Sequence, residues 1–339
     1  MVEQHQKNLK YKDTDDDNLT RPLLAGQEKN HYSATYSINT TTDNGLEDTN
    51  FTQQPPNEPE PYKTPLYAYP ILVLCGASGA MDGPFSQFLT TRNPFLRMSW
   101  KFQGVLFLLI MIYLSLRLLK SGSVNLTRGM TKEDLVTLTI TSIGLIGMQS
   151  FLTWGATYTI MAHANLYSSL CSIMIVAWRL SRNTPVTKYE IIGSVIALGG
   201  CVVTTFDPSA QKTLEIDNQI QFGNLLSFFS SVFATFYILK GQEVSARLSS
   251  LQYLLFLTAI ACIFFYTVFP LAYFGTQFNF TTDINTGIFG WLAPENFWYN
   301  LLVVSGLNGV GTLTLQMLVF RYFTPVVAGT MMLLEPLFS

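Results

Sequence analysis

The sequence predicts an all-α membrane protein made of two inverted five-helix repeats, nine helices present with the ninth cut short. Three observations predict it. Charge is unevenly spread: residues 1–65 hold 11 acidic and 6 basic side chains, and the other 274 hold only 11 and 14. A water-soluble domain has roughly a quarter of its residues charged. The charge-poor part divides into apolar stretches of about 20 residues, the length that crosses a bilayer as a helix. Finally, "GLIGMQSFLTWGATYTI" from Gly144 and "GLNGVGTLTLQMLVFRY" from Gly306 open alike, 162 residues apart. Five predicted helices make up one copy, and an odd number of crossings turns the second copy upside down.

The chain divides into a tail (1–65), a first repeat (66–206) and an incomplete second repeat (207–339). The tail is rich in Asp, Asn, Thr, Gln and Pro. It cannot bury enough apolar area to offset chain entropy, so it is expected to be disordered. Its "TRPLLAG" has the look of a dileucine sorting signal but lacks the preceding acid, and a solvated tail is the preferred reading. No positive region leads into an apolar core, so no cleavable signal peptide is expected.

Helices are predicted at about 66–89, 96–119, 135–160, 162–180, 188–206, 222–240, 251–274 and 297–320, with a ninth from Pro325 to the end. Helix 1 contains "GASGAMDGPF". Asp82 sits at membrane depth, where a carboxylate is costly and normally faces a cavity or a partner. Gly83-Pro84 beside it disrupts the helical ladder. Two readings stand equally: an unwound site whose acid meets a cationic substrate group or a proton, or an early helix end with Asp82 in water at the outer interface or paired to Lys101 or Arg97. Helix 3 carries Gln149, Trp154 and Tyr158 roughly on one face. Helix 4 opens with His163, Asn165, Tyr167, Ser168 and Ser169, with His163 read as interfacial rather than as a proton relay. Helix 8 offers Asn308 and Gln316. For any one of these residues of helices 3, 4 and 8, interhelical hydrogen bonding, or core packing for Trp154, is preferred over a cavity role. Helix 9 offers Glu335, directly before Pro336. Glu335 either lines a cavity or bonds backbone groups freed at a kink; the kink reading is preferred.

Lysines and arginines set the orientation. With the amino tail in the cytoplasm, cytoplasmic connections hold Arg117, Lys120, Arg128, Lys132, Arg179, Arg182, Lys188, Lys240, Arg247 and Arg321. The opposite side holds Arg92, Arg97, Lys101 and Lys212. Ten against four supports this placement. Asn279, in "NFT", then lies on the opposite side as a glycosylation candidate, while Asn18, Asn39, Asn50 and Asn125 stay cytoplasmic.

Several function classes find no residues. There is no basic block for nucleic acid. Cys75, Cys171, Cys201 and Cys262 lie in apolar runs without metal-ligand spacing, and the three histidines are far apart. No metal or other cofactor is expected. The phosphate-binding Gly-Lys, H-E-x-x-H and G-x-S-x-G patterns are missing from the sequence, so no enzyme is expected.

The stretch "NLYSSLCSIMIVAWRLSRNTPVTKYEIIGSVIALGGCVV", with Ile192-Gly193 and Gly199-Gly200, resembles helices 4 and 5 of the EamA-type drug/metabolite transporter superfamily. "VVAGTMMLLEPLFS" is similar to the matching helix of that family's second repeat, where Glu-Pro is common. "NPFLRMSWKF" is similar to its Pro followed by Arg, here Pro94 and Arg97. The resemblance covers residues 66–339. Two features depart from it: Met174 stands where Pro is frequent, and "SRNTPVT" has no acid. The resemblance implies ten helices, so the chain is expected to be about 29 residues short of the last one. It also implies a central cavity walled by helices 3, 4, 8 and 9. Asp82, Gln149, Trp154, Tyr158, Asn165, Tyr167, Asn308, Gln316 and Glu335 are its candidate residues. The implied function is alternating-access transport of a small organic solute or metabolite, with proton or exchange coupling open. The alternative is a non-transporting multi-pass receptor or scaffold. The expected partners are the lipid bilayer and a small-molecule substrate, with a homodimer left open. The choice between plasma membrane and endosomal or vacuolar membrane is also open.

Overall fold

The computed structural model describes residues 64–91, 93–119, 126–127, 129–184, 186–205, 217–272 and 279–332. The expected tail, the Glu335-Pro336 pair and Asn125 lie outside the described residues. Eleven helices and one 3-10 turn (Gly290–Leu292) are described. The helices are α1 (Ala68–Ala80), α2 (Asp82–Gln87), α3 (Pro94–Leu119), α4 (Lys132–Gly155), α5 (Met161–Ser168) and α6 (Cys171–Ser181). They continue with α7 (Lys188–Thr205), α8 (Asp217–Ser245), α9 (Ser250–Ala272), α10 (Pro294–Tyr322) and α11 (Pro325–Met331). Among the described residues there is no strand, only an isolated bridge between Asn279 and Gly287.

Local chemistry starts and stops these helices. Thr131 and Asp134 form a reciprocal capping box at the head of α4. The same exchange joins Thr187 with Glu190 before α7, and Ser249 with Gln252 before α9. Each box satisfies backbone N–H groups that have no partner within the helix. Pro94 and Pro325 occupy first-turn positions, where a missing N–H costs nothing. At the tail of α6, Asn183 takes φ 53° and Thr184 N–H reaches back to the Arg179 carbonyl at 2.9 Å, a left-handed C-terminal cap.

Two predicted helices are broken and one runs short. Helix 1 divides at Met81 into α1 and α2, because Pro84 has no N–H to give the Ala80 carbonyl. Helix 4 divides at Ser169-Leu170. There Ser169 and Ser172 hydroxyls donate to the Leu166 and Ser169 carbonyls, competing with the ladder. Helix 3 ends at Gly155 rather than near residue 160, where the Thr157 hydroxyl and N–H both bond the Trp154 carbonyl. Within α10, Tyr299–Val310 is wound as a π-helix before Gly311–Tyr322 returns to α geometry.

Among the described residues, five helices are long and apolar enough to cross a membrane: Pro94–Leu119, Lys132–Gly155, Gln219–Ser245, Ser250–Thr267 and Pro294–Tyr322. Many apolar side chains face outward, among them Leu118, Ile196, Val203, Phe229, Ile263 and Leu307. This is compatible with a multi-pass membrane protein, whose outer surface meets lipid instead of water. Inside, helices approach through small residues. α4 packs along α8, where a Cβ on Gly144 would stand 2.8 Å from the Tyr237 backbone nitrogen. Cys75, Cys171 and Cys262 are buried in the core.

Gly144→Ala is expected to lower stability by about 1–3 kcal/mol through overpacking. Gly193→Ala on α7, where an added Cβ meets nothing within 4 Å, should be neutral or mildly stabilising. Thermal unfolding of the detergent-solubilised chain measures both. Equal responses at the two sites would contradict the packing of α4 on α8.

Candidate functional site

The described bundle has two differently finished ends. The near end holds the start of α1, the start of α4 and the α10–α11 turn, and side chains tie it together. Arg247 bonds Asp134 at 3.2 Å and Glu243 at 2.7 Å. Arg321 donates to the Ser245 and Leu248 carbonyls, and Gln242 donates to the Phe323 carbonyl at 2.6 Å. Glu190 of α7 lies 3.5 Å from Arg179 and accepts from Thr324 at 2.9 Å.

The far-end half contains a cavity of about 270 Å³. Its walls come from the α1–α2 junction, the first turns of α3, the last turns of α4, α5 and the middle of α10, with Met332 also in the lining. Pro84 and the π-helical winding shape two of these walls. π-helical turns in otherwise α-helical segments recur at functional sites. Here the winding itself carries the buried Asn308, which faces α2.

Three described lining residues carry charge: Asp82, Arg97 and Lys101. Lys101 Nζ stands 2.6 Å from Asp82 Oδ1, and the Asn308 side-chain amide donates to the same oxygen at 2.7 Å. The two charged side chains are 12% and 26% exposed, so the pair is sheltered but not dry. Thr312 Oγ1 lies 3.1 Å from Asn308 Oδ1 and 3.0 Å from Ser78 Oγ, which extends the network back to α1. Arg97 and Lys101, four residues apart on one face of α3, both reach the cavity. Arg97 Nε donates to the Thr91 carbonyl at 2.7 Å.

Polar, uncharged groups complete the lining. Gln149 and Asn165 line it, and neither side chain has a partner among the described residues. Gln316 lines it with its Oε1 held by the Tyr237 hydroxyl at 2.8 Å, leaving its amide donors uncommitted. Ser168 sits 2.9 Å from Ser230, whose hydroxyl donates to the Met148 carbonyl.

The cavity therefore gathers four of the sequence-derived candidates, Asp82, Gln149, Asn165 and Gln316, and Asn308 joins them through Asp82. Trp154 and Tyr158 stand elsewhere: Trp154 packs edge-on against Phe95 and Phe222, and Tyr158 edge-on against Phe222. Tyr167 is half-buried and not part of the described lining. His163 is buried. Glu335 lies outside the described residues. Asn279 is exposed, in the segment whose Gly287 and Ile288 carbonyls accept from Trp100 and Gln103 of α3. Asp82 both lines the cavity and pairs with Lys101. Arg97 and Lys101 were visible in the sequence as connection charges, as candidate partners of Asp82 and as part of a motif, but not as cavity residues. Their spacing of four, just inside a helix start, was the available signal. No protein-family model matches the chain, and none of the curated proteins or solved structures compared with it does either.

Removing one member of the central pair leaves the other charge without its partner in a sheltered site. Lys101→Met is expected to destabilise by about 1–3 kcal/mol. The double variant Asp82→Asn/Lys101→Met should recover part of that loss. Thermal unfolding of the four members of the cycle reads the coupling, and additive losses would mean the pair is not energetically linked.

Proposed function

We propose that the protein is a multi-pass membrane transporter of a small organic solute, working by alternating access. The observation that carries this reading is the cavity: a pocket inside a helical bundle, near the lower end of the roughly 300–1,000 Å³ typical of small-molecule sites. It is lined by charged and uncommitted polar groups that are costly to keep among apolar helices without a use. The cavity occupies one half of the bundle while hydrogen bonds and ion pairs fasten the other end. That asymmetry suits one of two access states.

Helix neighbours support the repeat that alternating access commonly uses. Under the 162-residue offset, α4 corresponds to α10, α8 to α1, α3 to α9, and α5–α6 to α11. α4 packs on α8, and α10 packs on α1. α3 packs on α10, and α9 packs on α4. α6 meets α11 and α3 meets α9, pairs that the exchange maps onto themselves. In this reading the chain is of the drug/metabolite transporter type and its amino tail faces the cytoplasm.

Reconstitution into liposomes with a panel of radiolabelled metabolites tests the function. Saturable uptake is expected for at least one solute, with a loss of about tenfold or more in Asp82→Asn at equal expression. A folded, reconstituted protein that moves nothing on the panel would favour the receptor or scaffold reading. Orientation is tested separately: glycan attachment at Asn279 supports the proposed topology, and attachment at Asn50 reverses it.

A further inference from the structure

The charges of the cavity are not balanced among the described residues. Asp82 is occupied: one of its oxygens receives both the Lys101 ammonium and the Asn308 amide. Together Asp82 and Lys101 present no net charge. Arg97 is different. Its Nε is used by the Thr91 carbonyl, and its terminal nitrogens have no partner among the described residues. A guanidinium keeps its charge at any physiological pH and offers paired N–H groups in one plane, the geometry that grips a carboxylate or phosphate at two points. Placed in a half-sheltered cavity, it attracts an anion more strongly than it would in water.

The neutral lining points the same way. The carbonyl oxygen of Gln316 is taken by Tyr237, so what remains on that side chain is its donor amide. Gln149 and Asn165 each add two amide donors without described partners. A ligand that satisfies these groups is rich in acceptor oxygens. One that carries a positive charge would have to compete with Lys101 for Asp82.

We infer that the solute is a small organic anion, a carboxylate or a phosphate ester, held by the Arg97 guanidinium with Gln149, Asn165 and Gln316 as donors around it. This rests on the cavity being the solute site of the proposed transporter. In this arrangement Asp82 is not the substrate's counter-charge. It holds Lys101, four residues from Arg97 on the same helix face, and ties α2, α3 and α10 into one wall.

The test uses the full chain in lipid nanodiscs, with thermal unfolding recorded in titrations of succinate, glucose 6-phosphate, choline and glucose. Protection by succinate or glucose 6-phosphate, but not by choline or glucose, is expected. Arg97→Gln should raise the half-protecting concentration by about tenfold or more, because a charge-assisted contact is lost. Arg97→Lys should recover part of it, which separates charge from folding. Arg117→Gln, outside the cavity, should leave it unchanged. Three results would overturn the inference: no protection by either anion, anion protection untouched by Arg97→Gln, or choline protection that disappears in Asp82→Asn. The same preparation in liposomes keeps the two proposals apart. Anion binding without uptake sinks transport and leaves the ligand class standing, whereas uptake of choline or glucose with no anion bound does the reverse.

Discussion

A carboxylate inside an apolar bundle needs a partner, and here the requirement is met by Lys101 at 2.6 Å and Asn308 at 2.7 Å. Much of the far-end architecture follows from that constraint. Pro84 breaks helix 1 beside the acid, so α2 can carry Asp82 against α3 and α10. α10 is π-wound from Tyr299 to Val310. Its Asn300 and Ser305 donate to the Trp100 and Lys101 carbonyls, which fixes α10 against the turn of α3 that bears the lysine. Helices that meet through such polar contacts at a few points, and through small residues elsewhere, can leave space between them. The cavity is that space.

The near end obeys the opposite rule. Its ties are short and numerous, and they join elements far apart in the chain: Asp134 with Arg247, Glu190 with Thr324, Gln242 with the Phe323 carbonyl. Several of these residues also cap helices. Asp134 and Glu190 close capping boxes at the starts of α4 and α7, so the groups that stop the helices also fasten them to one another. For a protein that alternates access, these ties are the contacts that have to open; in the Arg247–Asp134 pair the arginine is 38% exposed and the aspartate 4%.

Much of the fold could be read from the sequence because membrane helices obey a simple length and composition rule. The long apolar runs that became α3, α4, α8, α9 and α10 were legible from that rule alone. The breaks were partly legible. Pro84 announced the α1–α2 junction, but the divide at Ser169-Leu170 depended on which carbonyls the serines of "YSSLCS" would take, and apolar periodicity does not encode that. The three capping boxes were written plainly as Thr131-x-x-Asp134, Thr187-x-x-Glu190 and Ser249-x-x-Gln252. At the site, polarity within apolar helices singled out Asp82, Gln149, Asn165 and Gln316, which line the cavity, and Asn308, which bonds Asp82. Trp154 and Tyr158 pack against Phe222 and are not part of the described lining, which for Trp154 is the core-packing reading. Arg97 was under-read, since a cation near a helix start looks like an interfacial anchor until the neighbouring helices are in place.

The central claim is that the cavity is reached from either side of the membrane in turn. Its most direct measurement is labelling of a single cysteine at Gln149, with the four native cysteines replaced by alanine, in sealed vesicles of known orientation. A membrane-impermeant thiol reagent is applied to one face at a time. The account predicts labelling from the far-end face, and labelling from the near-end face that rises when Arg247→Gln removes the tie to Asp134. Labelling confined to the far-end face, unchanged by that substitution and by every solute on the uptake panel, would contradict it.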